Sequence, residues 1–117
     1  MSREIKVSEV ESRGQAALIR VEGRLDAKNA QELSRRCREI RESGHTQLVI
    51  NLSRVTFVAS SGIGSLLALT EEFKEAGGCI HLVELSQAVE SVVGLLNLTE
   101  YLSIRPTENA ALKALEV

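Results

Sequence analysis

The chain reads as a single α/β domain. It has a mixed, mostly parallel sheet of about four or five strands, an N-terminal hairpin and about four helices. Three observations predict this. Short aliphatic runs alternate with amphipathic stretches of helical length, and strands separated by such helices pair in parallel through right-handed crossovers. The first two strand-like runs are separated only by Ser12-Arg13-Gly14-Gln15, which suits a tight hairpin turn. The chain has 117 residues, 44% of them apolar and 26% charged, which is the make-up of one domain around one core.

Each element has its own signal. Ile5, Val7 and Val10 are apolar among polar Lys6, Ser8 and Glu9, as in a half-exposed strand at a sheet edge. Residues 16–21 form the second strand, which ends at Gly23-Arg24-Leu25-Asp26. Asp26, or Asn29 just beyond it, suits the N-cap of the next helix. Ala30, Leu33, Cys37 and Ile40 make one apolar stripe on that helix, and Gly44 is placed to end it. Residues 46–52 form the following strand, with Leu48-Val49-Ile50-Asn51-Leu52 as its buried run.

A helix from about Ser61 to Ala76 buries Ile63, Leu66, Leu67, Thr70 and Phe73 and keeps Glu71, Glu72, Lys74 and Glu75 wet. Gly77-Gly78 stops it. Cys79-Ile80-His81-Leu82-Val83 is a mostly apolar strand. Ser86 caps a helix carrying Val89, Val92, Val93 and Leu96. Leu102-Ser103-Ile104 is a short last strand. Pro106 and Thr107 open a C-terminal helix with Ala111, Leu112 and Leu115 on one face.

Composition narrows the function. Aromatics are 3% and Trp is absent, so the core is aliphatic and base stacking has little to work with. A net charge of −2 provides no field for polyanions, and no nucleic-acid partner is expected. Arg35, Arg36, Arg38 and Arg41 alternate with apolar residues near Glu39 and Glu42, as on a solvated helix face. Cys37 and Cys79 occupy core-like positions with no second ligand at metal spacing. Buried free thiols fit a reducing compartment, and the opening residues 1–6 carry no apolar signal segment. No run nears the roughly 20 apolar residues that span a bilayer. A cytoplasmic protein without membrane insertion, metal or cofactor is expected.

Catalytic chemistry is equally scarce. His45 lies in a helix-to-strand loop and His81 inside a strand, and neither has a partner that suggests a metal or a Ser/His/Asp grouping. Gly62-Ile63-Gly64 lacks the third glycine of the dinucleotide fingerprint and the lysine of the nucleoside-triphosphate loop, so it is weak as a nucleotide motif. No catalytic residue is assigned, and a non-enzymatic role is expected.

One stretch stands out: Val55-Thr56-Phe57-Val58-Ala59-Ser60-Ser61-Gly62-Ile63-Gly64. It joins a strand to a helix N-terminus, where backbone N–H groups are unpaired and the dipole is positive. A hydroxyl there caps the helix, and a phosphate on it sits in a favourable field. If the strands that lead to Gly23 and Leu52 are neighbours, Asp26 and Ser60 share one rim of the sheet.

These residues resemble a known family. Ser60-Ser61-Gly62-Ile63-Gly64 after the Leu48–Leu52 run resembles the STAS domain of bacterial anti-sigma factor antagonists. Val21-Glu22-Gly23-Arg24-Leu25-Asp26 matches the family's upstream segment. Gly77-Gly78, Ser86-Gln87-Ala88-Val89, Leu95-Leu96-Asn97-Leu98 and Tyr101-Leu102 extend the likeness over nearly the whole chain.

The resemblance implies a binding module rather than an enzyme. Its partner would be an anti-sigma factor that is also a serine kinase, and a PP2C-type serine phosphatase would reverse the modification. It implies Ser60 as phosphoacceptor, with Ser61 second, and a partner-binding rim of Asp26, Ala59, Ser60, Ser61, Gly62 and Gly64. The chain departs from the family at Ala59, where an Asp precedes the acceptor serine. Two outcomes stand: Ser60 is still phosphorylated, or the protein binds its partner constitutively. The alternative role is a non-phosphorylated STAS interaction subunit of a signalling, lipid-transport or anion-transport assembly.

Overall fold

The structure is a computed structural model that describes residues 5–115. The elements run β1 (Lys6–Arg13), β2 (Ala16–Leu25), α1 (Ala27–Glu42), β3 (Gln47–Val58), α2 (Ser60–Glu75), β4 (Cys79–Val83), α3 (Gln87–Leu95), β5 (Ser103–Arg105) and α4 (Glu108–Leu115). The sheet has five strands in the order β1-β2-β3-β4-β5. β1 and β2 are antiparallel and the remaining pairs are parallel.

This order places the helices. From β2 onward each strand lies beside its predecessor in one direction across the sheet. Right-handed crossovers then put α1, α2 and α3 on one face. On that face Ile19, Ile50 and Leu52 of the sheet pack with Leu33, Leu66, Phe73 and Val89 of the helices. Leu18, Val49 and Val83, on β2, β3 and β4, point to the other face and meet Ala111 and Leu112 of α4. A polar clasp holds α4 there. Arg20 donates two bonds to Glu108, at 2.8 Å and 2.9 Å, and the buried Asn51 amide donates to the same carboxylate at 2.6 Å.

The helix signals act as sequence chemistry predicts. Asp26 accepts from the Asn29 N–H at 2.9 Å and caps α1. Ser86 accepts from the Val89 N–H at 3.2 Å and caps α3. Gly44, at φ 107°, ends α1 in the left-handed region. The basic run of α1 is a paired face: Arg35 bonds Glu32 and Glu39, and Arg38 bonds Glu72 of α2.

Several expectations shift, among them that for Leu96, which lies just past the end of α3 and is exposed. β2 continues through Gly23-Arg24 to Leu25, and β3 continues past Leu52 to Val58. Polar Ser53 and Arg54 interrupt the apolar run, yet these two segments pair with each other as far as Leu25 and Val58. Val10 leaves the alternation of β1 because the pairing with β2 slips between Glu9 and Glu11, which leaves Val10 exposed. Cys37 is buried as expected, but Cys79, at the first position of β4, is only half-buried.

Candidate functional site

The ends of β2 and β3 set two helix N-termini side by side. Leu25 and Val58 are paired in register. Asp26 and Ala59 follow them, and each is the N-cap of the next helix. The Ala59 N–H donates to the Leu25 carbonyl at 3.0 Å, so β-type bonding persists up to the start of α2. The rim inferred from topology is therefore present: Asp26 and Ser60 lie at adjacent strand ends.

The two caps differ. The Asp26 carboxylate is occupied by the Asn29 N–H, and the Asn29 side chain donates in turn to the Arg24 carbonyl at 2.8 Å. Ala59, with extended backbone at φ −89° and ψ 158°, offers only its carbonyl, which accepts from the Gly62 and Ile63 N–H groups at 2.9 Å and 3.2 Å. Neither serine is a cap. Because β3 runs on to Val58, α2 starts one residue earlier than expected, and Ser60 and Ser61 become its first two helical residues. Both are exposed, and among the described residues neither hydroxyl has a hydrogen-bond partner.

The two glycines have opposite roles. A Cβ on Gly62 would lie 2.3 Å from the Leu25 carbonyl oxygen and 2.9 Å from the Leu25 Cγ. Only glycine lets α2 begin this close to the end of β2. Gly64 is exposed, and a Cβ there would meet nothing within 4 Å. Packing gives no reason for that glycine.

The electrostatics suit an anion at Ser60. The first turns of α1 and α2 contain no acidic residue. Two positive helix ends point toward one rim, with Asp26 as the local carboxylate. Among the described residues no group of three or more His, Cys, Asp and Glu side chains can hold a metal ion, and no helix is long and apolar enough to cross a membrane.

Sequence reasoning missed two residues here. Arg24 and Phe57 face each other across β2 and β3, and the Arg24 Cζ lies 4.1 Å from the Phe57 ring centroid. The available signal was faint. Phe57 is one of 2 Phe in a chain poor in aromatics, and the other, Phe73, is fully buried.

This sheet order, with three helices on one face, one on the other and a serine-glycine junction after the central strand, defines a class. The chain belongs to the STAS domain family, whose model matches residues 8–111. Osmosensory protein A of Mycobacterium tuberculosis is 29% identical over 100 residues, covering 86% of this chain and 63% of that protein. The chain thus spans less than two thirds of that relative's length. An anti-sigma factor antagonist from Mycobacterium paratuberculosis superimposes with a TM-score of 0.81 at 26% identity, over 94% of this chain and 92% of that one. The unphosphorylated form of the anti-sigma factor antagonist SpoIIAA gives 0.76 at 23% identity, over 93% and 95%.

Proposed function

We propose that this chain is an anti-sigma factor antagonist. Its rim at Asp26, Ala59, Ser60, Ser61, Gly62 and Gly64 binds an anti-sigma factor that is also a serine kinase. Binding frees the sigma factor. The kinase moves the γ-phosphoryl group of ATP to the Ser60 Oγ, the hydroxyl proton leaves to a base on the kinase, and ADP is released. A PP2C-type phosphatase hydrolyses the ester and restores the binding form. Such partners work in the cytoplasm, and the reading puts this chain there.

The observation that carries the reading is the Ser60 hydroxyl, exposed and unbonded at the first position of α2. A kinase can reach it without unfolding the domain. The phosphate adds about −1.5 to −2 charges. The helix end tolerates that charge, whereas a partner surface shaped for a neutral hydroxyl does not. The switch is then local in structure and large in affinity.

The test is incubation with a kinase-fold anti-sigma factor and ATP, followed by site mapping by mass spectrometry. Modification at Ser60, lost in Ser60→Ala and kept in Ser61→Ala, is expected. Ser60→Glu should weaken binding of the unmodified kinase. No phosphorylation at either serine sinks the switch.

Ala59 favours a second reading, in which the missing carboxylate removes a feature the kinase needs and the chain is a constitutive STAS interaction subunit. Tight binding to the kinase with no phosphoryl transfer, followed by transfer to Ala59→Asp, would select it.

A further inference from the structure

The strand pair ahead of Ser60 reaches beyond the rest of the sheet. β3 last pairs with β4 at Asn51 and Val83, yet its pairing with β2 continues to Val58. The pairing slips between Arg20 and Glu22 and again between Gly23 and Arg24. Gly23 has φ 119°, and Thr56 Oγ1 donates to its carbonyl at 3.3 Å. Such bulges bend a strand and re-aim its side chains. The side chains aimed here are Arg24 and Phe57, stacked at 4.1 Å, with Phe57 left 39% exposed.

We infer that this ribbon is a second, partner-selecting element of the binding surface, in which Arg24, held flat on Phe57, takes a carboxylate on the anti-sigma factor. The inference rests on the antagonist reading above. Arg20, Arg35, Arg38 and Arg54 all have a carboxylate within 4 Å. Among the described residues Arg24, Arg41 and Arg105 have none, and of these three only Arg24 lies on the β2–β3 ribbon. The neighbouring Glu22 is already engaged by Arg54 at 3.5 Å, and the Asp26 carboxylate caps α1. The ribbon therefore presents one guanidinium fork with its donors free and its face fixed.

The charge pattern selects the occupant. A planar fork matches one carboxylate through two parallel bonds. Glu22 and Asp26 flank Arg24 in sequence, and the net charge is −2, which disfavours a nucleic acid or an anionic membrane. Arginine and exposed aromatics are the residues that dominate protein–protein contacts when both become desolvated. The ribbon is also continuous with the rim, since Leu25, directly after Arg24, accepts the Ala59 N–H. Docking at Arg24 thus sets the orientation in which Ser60 meets the kinase.

The experiment measures binding and association rates of the full chain with the kinase-fold anti-sigma factor that captures the wild type, over a series of salt concentrations. Arg24→Glu is expected to weaken binding by about tenfold or more and to flatten the salt dependence of association. Phe57→Ala should cost several-fold, because it frees the guanidinium without removing its charge. Arg24→Lys should recover part of the loss. In phosphorylation assays Arg24→Glu should raise the KM for this chain. Thermal melting checks that the variants fold.

If Arg24→Glu and Phe57→Ala bind within about twofold of wild type, with the same salt slope, the ribbon plays no part and the antagonist reading stands. If the wild type binds no kinase-fold anti-sigma factor, both fall.

Discussion

The Ala59 N–H and the Leu25 carbonyl, 3.0 Å apart, join the end of one strand to the start of the neighbouring helix. This bond makes the end of β2 a fixed wall against which α2 begins. It also sets Asp26 and Ser60 on one rim, although 34 positions separate them in the chain's numbering.

Gly62 is the residue this wall constrains. Gly62→Ala forces a Cβ to within 2.3 Å of the Leu25 oxygen and should destabilise the fold by about 2 kcal/mol or more. Gly64→Ala meets open space and should be neutral or stabilising by roughly 0.5–1 kcal/mol. Urea unfolding of the two variants checks this. Equal effects would show that the close approach does not constrain the junction.

Asp26 acts on stability through its cap. Asp26→Ala should cost about 1 kcal/mol, while Asp26→Asn should hold most of the stability by accepting the same Asn29 N–H. If Asp26→Asn nonetheless impairs kinase binding, the charge has a role at the interface beyond capping. Denaturation alongside binding separates the two.

The α4 clasp predicts an acid-sensitive fold. The Arg20 bonds, with help from Asn51, hold the Glu108 carboxyl below its ordinary 4.5, against the opposing effect of burial. A depressed carboxyl contributes its full stability above the unfolded value and loses it as pH falls through the folded one. Glu108→Gln should therefore cost about 1 kcal/mol at neutral pH. The difference from wild type should shrink below pH 4.5.

His81 predicts a separate pH effect. It is 8% exposed, and among the described residues its Nδ1 has no hydrogen-bond partner. Burial first, and the Arg105 charge second, push its pKa below the ordinary 6.5. The unfolded chain then binds the proton more readily, so stability drops as pH falls below 6.5 and levels off below the folded value. His81→Leu should abolish that slope in thermal melts recorded from pH 7.5 down to about 5. A wild-type melting temperature that stays constant over this interval would refute the assignment.

The two thiols should differ in reactivity. Burial pushes the Cys37 thiol up to about 12, with only a small opposing pull from Arg38 and Arg36. The Cys79 thiol is raised by burial too, but it is half-buried at the start of β4. Alkylation of the native protein at pH 8 should modify Cys79 first and reach Cys37 only on the timescale of global unfolding. Mass spectrometry of timed samples reads the order.

Much of the fold is legible in residue pattern. The stripe of Ala30, Leu33, Cys37 and Ile40 identifies α1, and each of these residues is buried against the sheet. Ser86 and Gly44 mark helix ends through local hydrogen bonding and backbone geometry, which need no distant partner. The strand extensions at residues 22–25 and 53–58 are not legible in this way. Ser53, Arg54 and Thr56 are polar and exposed; Arg54 is held in the strand by register opposite Glu22 of β2, while Ser53 and Thr56 fall where that register shifts, so burial does not mark this stretch. The same extension moves the start of α2 and turns Ser60 from an expected cap into the first helical residue.

The amino-acid sequence by itself determined the element order, the sheet-and-helix class and the serine-glycine junction, because these depend on periodicity, caps and turns within a few residues of each other. The tertiary structure alone decided three things. It brought Asp26 beside Ala59, gave Gly62 its close contact with Leu25, and stacked Arg24 on Phe57. Each is a contact across about thirty or more residues, set by strand register. A one-residue slip in that register reverses every side chain, and no local pattern in this chain specifies it at the ribbon.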